Sequence, residues 1–121
     1  MTPEIRRVIA VEAHRRRSGH CPLRLHSLGT GETFEISPTT DGFVDLASGV
    51  AASATEGGIT LAGRQGAIEL RMLGDVAFDG YDHISDESFS GRAGGGASVT
   101  IYDRGQKNYF QYAVVTEAMK I

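Results

Sequence analysis

The chain's 121 residues are enough for one hydrophobic core and too few for two. With 40% hydrophobic and 22% charged residues, they exclude a wholly disordered protein. The net charge of −3 is uneven: six arginines against two glutamates give residues 1–26 a charge of +4 and leave −7 for the rest. An acidic total argues against a whole-domain nucleic-acid binder. The basic head and acidic body point instead to an internal match, a homodimer or an acidic protein partner. No stretch is apolar enough to span a membrane as a helix, and the N-terminus lacks the apolar core of a secretion signal. One cysteine, Cys21, cannot build an intramolecular disulfide. One domain over residues 1–121, in the cytoplasm and away from membranes, is the resulting expectation.

A helix is predicted over about 3–17. Thr2 suits the cap, Pro3 the first helical position, where an N–H is not needed, and Glu4 the first turn, where the helix dipole favours an acid. Ile5, Val8, Ile9 and Ala13 form one stripe at helical spacing. Arg15, Arg16 and Arg17 load the last turn, and Ser18-Gly19 ends it. Glu12 and Arg16 fall on the apolar side. The simpler reading is an exposed i,i+4 pair beyond the edge of the core, worth on the order of 0.3 kcal/mol. The sharper one has Arg16 anchoring an anion at a cavity mouth.

After Gly19 the period changes from helical to alternating. Strands are predicted at Leu23–His26 and Phe34–Ile36, with Gly29-Thr30-Gly31 turning between them, then at 42–47, 58–62 and 67–73. In the last of these, Ile68, Leu70 and Met72 face one way and Glu69 and Arg71 the other. Residues 47–57 are small and weakly patterned, a loop or an edge strand. Further strands follow at 76–81, 98–103 and 108–116, the last two forming a hairpin about Arg104-Gly105. The sixteen glycines serve the turns that many short strands require. The fold class is therefore α+β, mainly β: one N-terminal helix packed on a curled antiparallel sheet of about six to eight short strands over about 22–117, closed as a barrel, roll or sandwich.

Few residues point to chemistry. The stretch GRAGGGAS, residues 91–98, matches a phosphate loop at Gly91, Gly96 and Ser98. Ala97 stands where that loop needs its lysine, however, and a strand follows where a helix should complete the anion site. A pliable connection, exposed or bulged at Gly94 to Gly96, is the expectation. The acidic segment 74–89 surrounds His83 with carboxylates at spacings wrong for a calcium loop. His83, oriented by Asp82, is the candidate general base, set against a reading of these residues as turn and surface groups. His14, His20, Cys21 and His26 lack the paired spacing of a zinc site, so neither a metal nor a cofactor is expected. Tyr81, Tyr102, Tyr109 and Tyr112 line a pocket or an interface, or are core residues with hydroxyls reaching water. The sequence favours a non-enzymatic interaction or self-assembly domain. One alternative is a ligand-binding protein or enzyme with a pocket between helix and sheet, using Arg16, His83, Asp82, Tyr81, Tyr102 and Tyr112. The other is nucleic-acid contact through the N-terminal arginines.

Overall fold

A computed structural model describes residues 1–94 and 96–116. The first element is α1 (Pro3–Ser18), followed by β1 (Arg24–Ser27), β2 (Thr33–Pro38), β3 (Gly42–Asp45), β4 (Val50–Thr55) and β5 (Gly58–Leu61). Then come β6 (Ala67–Leu73), β7 (Ala77–Asp82), β8 (Glu87–Ala93), β9 (Ser98–Asp103) and β10 (Asn108–Val115). Each strand pairs antiparallel with the next, and β10 returns to β1 with Leu25 opposite Val114, so the sheet closes into a barrel. It has ten strands rather than six to eight. The two beyond the predicted set are β4, where the weakly patterned small residues take the strand alternative, and the unforeseen β8, which takes in the end of the acidic segment and the start of GRAGGGAS. Closure leaves no edge, so β4 is not an edge strand, and every strand's backbone is paired on both sides. The expected end of the body at residue 117, and Gly95, lie outside the described residues.

The helix occupies the lumen instead of lying on one face of a sheet. Ten consecutive residues, Ile5 to His14, are buried, which a helix packed on one surface cannot achieve, and α1 contacts β3 and β4 as well as β6, β8 and β9. Its Ile5, Val8, Ile9 and Val11 share one core with Phe43, Ile59, Ile68, Phe78 and Ile101 from the wall. Each such side chain contributes roughly 1.5–3 kcal/mol by leaving water. The alternation read from the sequence holds: Ile68, Leu70 and Met72 face inward, as do Val99 and Ile101. Pro3 starts the helix as expected, while Thr2 makes no side-chain cap bond. Gly19 ends it in the left-handed region at φ 80°, donating its N–H to the Arg15 carbonyl.

The basic head and the acidic body cancel inside the molecule. Asp45, Asp82 and Asp103, the last residues of β3, β7 and β9, are each fully buried. They stand at the rim where the helix begins. Arg7 donates to Asp45 at 2.8 Å and Arg6 to Asp103 at 2.9 Å, and their guanidinium groups lie over the rings of Phe34 and Phe110. At the far rim Glu12 is also fully buried, between Arg15 at 2.7 Å and Arg16 at 2.6 Å. The i,i+4 pair of Glu12 and Arg16 thus exists, but not as an exposed pair, because the core surrounds the helix there.

The three wall aspartates share a turn. In each case the residue four positions on has positive φ: Gly49, Asp86 and Lys107. The carboxylates brace the turns, with Asp82 accepting from the Ile84 N–H, Asp103 from the Gln106 N–H and Asp45 from the Ser48 hydroxyl. This is the local hydrogen bonding that places aspartate at turns. Asp45 and Asp103 therefore both shape their hairpins and receive the helix arginines, whereas Asp82 braces its turn alone.

Candidate functional site

The residues suspected from sequence do not converge. Arg16, at the far rim, donates to Glu12 and to the carbonyl oxygens of Thr55 at 2.8 Å and Gly58 at 2.9 Å, groups left over where β4 turns into β5. Its contacts are a buried carboxylate and the chain's own carbonyl groups. Asp82 points into the wall and is shielded from water, so it is not a surface turn residue. Its Oδ2 has no hydrogen-bond partner among the described residues. His83, next along the chain, lies outside at the opposite rim from Arg16. Its Nε2 is 2.5 Å from Glu69 Oε2 and its ring is stacked on Tyr81 at 4.7 Å.

Around His83 the outer faces of β6 and β7 form a trough of about 540 Å³ bordered by Glu56, Glu69, Arg71, Asp79 and Tyr81. Its polar groups are paired across the strands as the register dictates, Glu69 facing Tyr81 and Arg71 facing Asp79. Arg71 donates to both oxygens of Asp79, at 3.1 and 3.0 Å, and the Tyr81 hydroxyl donates to Asp86. Asp86's acceptance of that proton holds the phenol above its ordinary pKa, the opposite of what an activated tyrosine needs. Solvent-exposed pairs of this kind contribute little to stability, because water and salt screen them.

The tyrosines divide by face. Tyr112 faces the core and is buried, so of the two readings of the tyrosines it takes the core one and lines no pocket, and burial raises its pKa. Tyr102 and Tyr109 lie opposite each other on the outer face of β9 and β10, with rings 4.9 Å apart. Beside them is a second groove, about 410 Å³, between the β1–β2 turn and β10, lined by Ser27, Leu28, Thr30, Asn108, Tyr109 and Gln111 among others. Leu28 donates its N–H to the Gln111 carbonyl at 3.0 Å, which draws the turn onto β10. No lining residue is charged. Leu28 is 56% and Tyr109 66% exposed, the two most solvent-accessible large apolar side chains named for the described residues. The Ser-Leu-Gly-Thr-Gly turn held a signal that sequence reading passed over, a leucine placed where a turn cannot bury it.

The remaining candidates are separate. His14 lies in the lumen with both ring nitrogens unpartnered among the described residues. Burial, then Arg17 and His20, holds it below its ordinary pKa. Cys21 is half-buried, and burial pushes its thiol up. His20 is exposed, and His26 Nδ1 meets the Thr33 hydroxyl. Among the described residues no three of His, Cys, Asp and Glu come together as a metal would require, and no helix is long and apolar enough to cross a membrane. In GRAGGGAS, residues Gly91–Ala93 finish β8, Ser98 starts β9, and exposed Gly96 offers its carbonyl to Arg17 at 3.2 Å. Gly94 is half-buried and donates its N–H to the Ser98 carbonyl at 3.0 Å.

Fold and surface together define a closed barrel with a helix-filled lumen whose concavities face outward. Comparisons with protein-family models, curated proteins and solved structures find no match for this chain.

Proposed function

We propose that the protein is a non-enzymatic interaction module that binds a protein partner through the groove between residues 27–30 and 108–111. The observation that carries this reading is an uncharged concavity presenting Leu28 and Tyr109 to solvent on a chain whose other charges are largely paired. Tyrosine with Ser, Gly and Asn is the composition of antibody paratopes, because the rigid ring adds contact area at low entropy cost and the small polar groups adapt their hydrogen bonds. A non-catalytic role is supported by the separation of Arg16, Asp82 and His83. The first two are committed to the barrel's own framework, and His83 lies beside the β6–β7 trough, bonded to Glu69 at its border. The arginines that suggested nucleic acid are likewise engaged: Arg6 and Arg7 inside the barrel, and Arg15, Arg16 and Arg17 by Glu12 and by carbonyl groups.

The test is a photo-cross-linking amino acid at position 109 in cells that express the protein, with position 60 on the outer face of β5 as control. A discrete protein adduct from position 109 and none from position 60 is the expected result. No adduct from position 109, or equal labelling from both, would remove the proposal.

A further inference from the structure

We infer that the partner at this groove is a second copy of the chain, related by a two-fold axis through the groove. The inference rests on the interaction reading above and names its occupant. It comes from the charges on the two walls. One wall is β10, and the turn leading into it carries Arg104 and Lys107. The other is the β1–β2 turn, which ends in Glu32. All three are exposed and none forms an ion pair among the described residues, a state they share with Asp41, Glu56, Asp75 and Arg92, but only these three flank the groove's two walls. The groove is thus an uncharged centre with an unpaired cationic flank on one side and an unpaired anionic flank on the other.

A two-fold axis exchanges the walls. It brings Arg104 and Lys107 of each copy to Glu32 of the other and sets each Tyr109 against the other copy's Leu28. Every charge contact then occurs twice. Such self-complementarity is what an isologous contact requires. An unrelated partner would have to supply its own reversed charge pair. The apolar pair supplies the central contact, while the rim charges fix orientation and oppose mismatched partners.

Sedimentation across a concentration series is expected to move from the mass of one chain to that of two. Tyr109→Ala, whose side chain is solvent-exposed in the single chain, should weaken association at least about tenfold. Glu32→Lys alone and Arg104→Glu/Lys107→Glu alone should each sediment as one chain, because each sets like charges against each other twice. An equimolar mixture of those two variants should regain the double mass, and circular dichroism should show the wild-type strand signal in all of them. A wild-type protein that keeps the mass of one chain at every concentration overturns the inference, as does a mixture that stays at single mass. A cross-link from position 109 to a different protein by a monomeric wild type also overturns it while leaving the interaction reading intact, whereas the absence of any cross-link removes both.

Discussion

Arg7 and Asp45 meet inside the barrel, the guanidinium donating through Nε and Nη2 to both carboxylate oxygens, with Asp45 wholly screened from water. The pair joins the helix to the wall, and Ser48 adds its hydroxyl to the same carboxylate. A buried pair of this kind stabilises little by existing and costs much when halved, since removing one partner strands a charge. Asp45→Ala is therefore expected to destabilise the fold by about 3–5 kcal/mol, while the double variant Arg7→Met/Asp45→Leu recovers most of that loss. Urea unfolding midpoints of the wild type and the two variants decide it, and equal losses in the single and double variants would count against the argument.

Gly91 is held by packing, not by turn geometry. A Cβ there would stand 2.2 Å from the Thr100 carbonyl oxygen and 2.5 Å from the Phe78 ring, whereas at Gly94 the nearest atom is the Ser98 hydroxyl at 3.4 Å. Gly91→Ala should lower stability by about 1–3 kcal/mol, as overpacking does, and Gly94→Ala should stay within about 0.5 kcal/mol of wild type. Thermal melts of the two variants read the difference directly.

His14 makes stability depend on pH near neutrality. Its folded pKa is lowered, so the unfolded chain takes up the proton first. Its contribution is complete above the unfolded value of about 6.5 and is lost as pH falls through that value toward the folded one. Replacing His14 with Leu should flatten the stability profile below the unfolded value of about 6.5 and leave stability at higher pH similar or greater, because the ring's nitrogens have no partners among the described residues. An unchanged slope in denaturant titrations would show that another group carries it.

Asp103 acts in a lower window. Burial pulls its carboxyl upward, but the Arg6 bond and the Gln106 N–H outweigh that and hold its pKa below the ordinary carboxylate value. Its stabilisation is present above about pH 4 and is lost as pH falls through the folded value. Asp103→Asn should remove this acid-limb dependence and leave the Arg6 guanidinium partly unmatched, lowering stability at neutral pH. Acid titration followed by circular dichroism separates this step from that of His14.

The helix could be read from its caps, its stripe and its final arginines, and eight strands from alternation. β4 and β8 could not: AASAT and ESFSGRA hold too few large apolar residues to show a period, since Ala52, Gly91 and Ala93 face inward only because the helix and Phe78 fill the space before them. The helix's position was hidden for a related reason. Arg6 and Arg7 stand off the apolar stripe, and nothing local shows that Asp103 and Asp45, far along the chain, will neutralise them inside the barrel. Of the candidate surface, the paired tyrosines of β9 and β10 were visible as aromatics. The contribution of Leu28 depends on a turn folding back onto β10, a contact between residues far apart in the chain.

Closure of the barrel also constrains how the protein folds. Residues 24–27 pair with 112–115, so the last seam joins strands separated by nearly the whole chain, and the entropy of closing that loop must be met before the seam returns any free energy. The helix must be in place before the seam shuts, with its arginines already near the aspartates that will receive them. Folding of this kind is expected to be slow for its size. Opening that seam would bring water to the buried pairs of Arg6 with Asp103 and Arg7 with Asp45.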